Sequence, residues 1–182
     1  MEHPSLYGIC KYLEKQGFII DYVNVTEEGV IDFDDLREKV TKDTILVSVS
    51  AVNSETGVRQ PLKTIRQVIH KENENVILHS DMSQAIGKAN IRLNDVDIAT
   101  LGGTKIYGPS GIGILYKNKN LVLSPLMYGS KEGELKPGTV PLPLLVAFSK
   151  ALRLALKDMD KKEQEIIKHR ERVIEHLSKY PD

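Results

Sequence analysis

The sequence predicts an α/β fold, a mixed, mostly parallel sheet flanked by helices, and three observations lead there. Short β-branched and apolar runs alternate with amphipathic stretches, the order of βαβ units. One run, "TILVSVSAV" (44–52), is apolar or small throughout, the pattern of a strand covered on both faces. The last run, "GIGILYKN" (111–118), follows its predecessor through a turn too short for a crossover helix, so it is expected to run antiparallel.

In chain order, residues 5–16 predict a short helix that stops at Gly17, and "FIIDYVNV" (18–25) predicts a strand from its β-branched and aromatic content. "DFDDLREKV" opens a helix with Asp32 as N-cap and acids in the first turn, where the helix dipole favours them. Pro61 suits the first position of "PLKTIRQVIHK", in which Leu62, Ile65, Val68 and Ile69 share a face. Residues 75–81 and 96–101 predict two further strands. Residues 127–141, rich in Gly, Pro and charge, predict a long functional or mobile loop. From Leu142 to Lys179 neither Gly nor Pro interrupts a roughly helical spacing of apolar residues. The segment 142–182 is therefore one long amphipathic helix or two in line, with no compact domain after it.

Composition narrows the function classes. The 182 residues suffice for one domain with a sizeable core. With 41% hydrophobic and 27% charged residues the chain is an ordinary globular one. Twenty-five basic residues balance 25 acidic ones, so no nucleic-acid footprint is expected. The single cysteine, Cys10, excludes an internal disulfide, and no Cys/His cluster has metal-site spacing. No secretion signal opens the chain and no apolar run reaches membrane-spanning length. A soluble, cytoplasmic protein acting on a small molecule or on a protein partner is the expectation.

Ligands of open α/β sheets sit beyond the carboxyl ends of the strands. The side chains at those places are Asn53, Ser54 and Glu55, then His79, Asp81, Ser83 and Gln84, then Thr104 and Lys105. Singly each has an ordinary reading. Asp81 suits a helix N-cap and Lys105 a solvated loop charge. His79 suits a hydrogen-bonded structural residue, and Cys10, beside Leu6, Ile9 and Leu13, a small core residue. Jointly, an acid, an amide, a hydroxyl and an amine suit a heteroaromatic cofactor whose ring nitrogen is kept protonated and whose aldehyde is captured.

"HSDMSQAIGK" followed by "DIATLGGTKIYGPSGIGILY" resembles the central signature of the NifS-like cysteine desulfurases, in the class V group of fold-type-I pyridoxal-phosphate enzymes. "EHPS", "GVIDFDDL", "TILVSVSAVNSETGV" and "LKPGTVP" extend the likeness over nearly the whole chain. The resemblance implies that residues 1–141 are the central part of the cofactor-binding large domain, truncated at both ends, with the C-terminal small domain absent. It implies pyridoxal phosphate as cofactor and L-cysteine as substrate. The sulfur would serve iron-sulfur cluster or thio-cofactor assembly. By the same resemblance Lys105 captures the cofactor and moves protons, Asp81 pairs with the ring nitrogen, Gln84 bonds the phenolic oxygen and His3 stacks on the ring. Thr139 would reach the cofactor phosphate of the neighbouring subunit in a homodimer. A desolvated setting among Gly102, Gly103 and Ile106 would favour the neutral amine of Lys105.

There are departures. Gly102, Gly103 and Thr104 stand where the family has Ser-Gly-His, leaving Thr104 as a phosphate donor and a weaker grip. Ser54 stands for an asparagine that Asn53 beside it replaces in part, and Lys136 for an arginine. The sulfur-accepting cysteine belongs to the missing part, and Cys10 does not substitute for it. Two readings follow. One is a desulfurase that needs a companion chain or the longer parent from which this piece was cut, with a scaffold that would receive the sulfur; the other is a non-catalytic remnant that acts at most as a folded interaction protein. A nucleotide-phosphate loop at "GPSGIG" fits neither glycine motif. A sheet lacking its flanking elements is expected to expose apolar surface and to self-associate.

Overall fold

The computed structural model describes residues 2–129 and 135–180. Helix α1 (Pro4–Lys15) starts with proline in its first turn and His3 as N-cap, whose ring nitrogen Nδ1 accepts from the Ser5 amide. Gly17, at φ +91°, follows the helix end. None of the α1 residues is buried, so Cys10 is half-buried and not the core residue expected.

Residues 18–25 do not form the predicted strand. Among the described residues the segment makes one isolated bridge, Val25 to Ile31, and Ile19 is 89% exposed. Strand preference expresses packing on a neighbouring ladder, and this segment has none. It is held by side chains instead: Tyr22 stacks on Tyr7 with ring centroids 5.8 Å apart, and its carbonyl accepts from Lys39 Nζ at 2.7 Å.

Helix α2 (Phe33–Lys39) begins as predicted, the Asp32 carboxylate accepting from the amides of Asp34 and Asp35. Strand β1 (Leu46–Ser48) leads to α3 (Leu62–Glu72), with Pro61 one place before the helix, and then to β2 (Ile77–Asp81). A 3-10 turn (Leu93–Asp95) precedes β3 (Ile98–Gly102), and a second one (Thr104–Ile106) precedes β4 (Gly113–Lys117). The sheet order is β1-β2-β3-β4. The first two pairings are parallel, with Val47 opposite Leu78 and Ser80 opposite Ala99. The third is antiparallel, with Thr100 opposite Leu115, as the short turn requires.

One face of the sheet is the core face. Leu78, Ala99 and Leu101 join Leu36 of α2 and Leu62, Ile65 and Ile69 of α3 there. Ser80 is also buried on this face, and its hydroxyl has no partner among the described residues. The other face carries Ile77, His79, Asp81, Ile98 and Thr100, all half-buried. Coverage of β1 on both faces is therefore not found. The strand is three residues long and Leu46 is 47% exposed, because β1 lies at the sheet edge and α2 and α3 pack on one side.

Asp97 couples the layers. Its Oδ2 accepts from the Leu78 amide at 2.9 Å and its Oδ1 from Arg66 of α3 at 2.8 Å. The C-terminal stretch is two helices, α4 (Leu142–Lys157) and α5 (Met159–Leu177), divided at Asp158. Helix α4 buries Phe148 and Ala155; α5 buries nothing. Close approach explains two glycines. A Cβ at Gly103 would stand 2.6 Å from the Phe148 ring, and one at Gly87 would stand 2.7 Å from the Ala155 Cβ.

Candidate functional site

A cleft of about 270 Å³ opens beyond the carboxyl ends of β1, β2 and β3, where an open α/β sheet collects its ligands. Each strand contributes residues from its carboxyl end and the turn after it. Ser50, Asn53 and Ser54 follow β1, Asp81, Ser83 and Gln84 end or follow β2, and Gly102, Thr104 and Lys105 end or follow β3; His3 and Ser5 close the remaining wall from the start of α1.

The β2 end is fixed by local hydrogen bonds. Asp81 Oδ1 accepts from the Ser83 amide at 2.9 Å, the turn that a short carboxylate favours. Ser83 Oγ in turn accepts from the Gly102 amide at 3.1 Å, joining the ends of β2 and β3. Gln84 Oε1 accepts from Lys88 Nζ at 3.1 Å, which leaves its nitrogen as the donor side of the amide. Two residues below Asp81, His79 spans the sheet. Its Nδ1 is 2.8 Å from Ser48 Oγ on β1 and its Nε2 is 3.2 Å from Thr100 Oγ1 on β3. Burial pushes the His79 pKa below the ordinary histidine value, against the pull of Asp81 and Glu2.

Of the side chains singled out from the sequence, His3, Asn53, Ser54, Asp81, Ser83, Gln84, Thr104 and Lys105 line this one cleft, and Glu55, His79 and Lys136 do not. Thr139 does not line it and is exposed in the segment before α4. Asn53 is committed to its own turn. Its Oδ1 accepts from the amides of Glu55 and Thr56, at 3.0 and 2.8 Å, and from the Thr56 hydroxyl. Ser54 donates to Glu55 at 3.1 Å. The desolvated setting expected for Lys105 is not found. Lys105 and Thr104 are exposed, because of that one-turn helix only Ile106 points into the core.

Ser5 and Ser50 belong to the cleft and escape the sequence reading. The strand predicted over 44–52 encloses Ser50; the observed strand is Leu46–Ser48, and backbone bonds from the Val49 and Ala51 amides to β2 carry the chain past it, with Ser50 between them lining the cleft. Among the described residues no group of three or more His, Cys, Asp or Glu side chains could hold a metal ion, and no helix is long and apolar enough to cross a membrane.

Comparison with known proteins bears on the family and the fold. The cysteine desulfurase IscS of Rickettsia prowazekii is 40% identical over 170 residues, covering 91% of this chain and 41% of that protein. The enzyme of the same name from Rickettsia bellii is 39% identical over 165 residues, covering 88% of this chain and 40% of that one. A solved structure described as a NifS-like protein superposes with a TM-score of 0.93 at 32% identity, over 98% of this chain and 50% of the other. A NifS-like protein from Rickettsia africae gives 0.88 at 28% identity, over 99% and 50%. The chain thus spans about two-fifths of the curated relatives' length and half of these solved structures. The fold is that of the large domain of fold-type-I pyridoxal-phosphate enzymes. The model of the aminotransferase class-V family matches residues 1–182, and the chain belongs to that family.

Proposed function

We propose that this chain is the cofactor-holding part of a pyridoxal-phosphate-dependent cysteine desulfurase, one that works with a thiol outside its own cleft. The observation that carries this reading is the convergence of an amine, a carboxylate, an amide, an imidazole and hydroxyls from three strand ends and α1 on one cleft. That donor set fits pyridoxal phosphate: Lys105 for the aldehyde, Asp81 for the ring nitrogen, Gln84 for the phenolic oxygen and Thr104 for the phosphate. Asn53 and Ser54 would help to hold the cofactor, and His3 would offer a flat ring to stack on. When bound, the cofactor supplies an electron sink that stabilises negative charge at the substrate Cα.

The chain's own residues divide the remaining work. The Asp81 carboxylate keeps a proton on a ring nitrogen beside it, since an opposite charge within reach favours the charged form. The Lys105 amine takes and returns the Cα proton. In the net reaction L-cysteine loses the Cβ–S bond and leaves as L-alanine, while an acceptor thiol gains the sulfur as a persulfide and gives up its proton to the carbon skeleton. Cys10 does not line the cleft, so the acceptor is a thiol of another segment or chain, and a scaffold that receives sulfur is the implied partner. Thr139 serves a second copy in a homodimer.

A second reading, a folded interaction protein without catalysis, is favoured by the exposure of Lys105 and by the engagement of Asn53 Oδ1 in its own turn. One experiment decides. Pyridoxal phosphate is added to the purified chain, the visible band recorded, the adduct reduced with borohydride and the labelled peptide mapped. A label on Lys105 that disappears in Lys105→Ala is expected. Because Lys105 is exposed, the variant should keep its stability to within about 0.5 kcal/mol. Labelling scattered over surface lysines would favour the second reading.

A further inference from the structure

Packing anchors the first turn of α1 only lightly, through the stack of Tyr7 on Tyr22. The helix buries no residue, and its apolar side chains Ile9 and Tyr12 are exposed. A free helix end frays, yet His3 in this turn forms one wall of the cleft.

What ties the turn to the sheet is Glu2. Its Oε1 accepts from the Ser50 amide at 2.8 Å and its Oε2 accepts from the Ser50 hydroxyl at 2.9 Å, a two-point clasp across 48 residues of chain. Both bonds are charge-assisted and part-buried, the strong kind of hydrogen bond. Ser50 itself lines the cleft between His3 and the residues after β1. On the far side of His3 a second fastening sets the ring. Nδ1 accepts from the Ser5 amide at 3.2 Å and lies 2.8 Å from the Ser5 hydroxyl. The imidazole is thus held through its backbone on one side and through its ring on the other.

We propose that Glu2 is a positioning residue for the cleft: clasped to Ser50, it holds the His3 imidazole where a flat heteroaromatic ligand meets it. The Glu2 carboxylate does not touch the ligand and acts through His3. The inference rests on reading the cleft as the pyridoxal-phosphate site.

The test uses the full chain and the variants Glu2→Ala, Glu2→Gln, His3→Ala and the Glu2→Ala/His3→Ala pair. Without ligand, hydrogen exchange is followed at the Ser50 amide and at the amides of the first turn of α1. With pyridoxal phosphate, affinity and the induced circular dichroism of the bound chromophore are measured. In Glu2→Ala, faster exchange at those amides, a loss of affinity of about tenfold and a diminished dichroic band are expected. Glu2→Gln keeps an acceptor oxygen and should restore most of all three. In the His3→Ala background the Glu2 substitution should cost nothing further, since residues acting as one unit are not additive.

Wild-type affinity and dichroism in Glu2→Ala would overturn the proposal alone, as would a loss that adds in full to that of His3→Ala. Slow exchange at Ser50 in Glu2→Ala would mean that the clasp is not made. If the wild-type chain fixes no pyridoxal phosphate on Lys105, the reading of the cleft falls and takes the positioning role with it.

Discussion

His79 is where a single side chain joins the stability of the sheet to pH. It bridges hydroxyls on both neighbouring strands, and burial favours its neutral form. The unfolded chain takes up a proton near the ordinary histidine value of 6.5, whereas the folded chain does so only at lower pH. Between the two the unfolded state binds more protons, so stability rises with pH across that interval. The contribution is complete above the ordinary value and is lost as pH falls through the folded one. The melting temperature should therefore drop between about pH 7 and pH 5, and His79→Gln should flatten that dependence; parallel profiles for the two proteins would exclude the role. A hydrogen-bonded structural histidine is what the sequence leads one to expect here. Its partners are not legible, because they lie 31 and 21 residues away. Asn53 illustrates the converse. Its chemistry is legible, but the turn that occupies its oxygen becomes evident only when Glu55 and Thr56 are placed beside it.

At the scale of elements, the turn that carries Lys105 is shaped by a helix that starts 37 residues later. Phe148 of α4 is 1% exposed and fills the space that a side chain at Gly103 would need. Phe148→Ala should lower the unfolding free energy by about 3–5 kcal/mol, read from denaturant midpoints at constant slope. An unchanged midpoint would mean that α4 does not support this turn. The sequence marks residues 102 and 103 as a turn of small residues but not the ring that demands them, since that ring arrives from a distant segment. Elements written in local chemistry are legible, as with the Asp32 cap, the apolar face of α3 and the tight reversal into β4. Residues 18–25 are misread for the opposite reason, because their strand-like composition lacks a neighbouring strand to realise it.

On the scale of the whole molecule, α2 and α3 pack on one side of the sheet while large side chains elsewhere stay in solvent. Tyr107, Val122, Leu126 and Tyr128 are each more than 80% exposed, a density of apolar surface that association commonly covers. Sedimentation is expected to give twice the mass of the chain, with dissociation on dilution; a monodisperse monomer at all concentrations would count against self-association.

The mixed sheet also sets an order of assembly. Gly102 pairs with Gly113 across a short reversal, whereas Leu46 must find Ile77 and Glu2 must find Ser50 over 48 residues. Closing longer loops costs more entropy, and non-local pairings form more slowly than local ones. The hairpin bearing Lys105 is therefore the cheapest part of the cleft to nucleate. Asp81 joins when β2 docks, the β1 residues follow, and the wall built on His3 is the last to close.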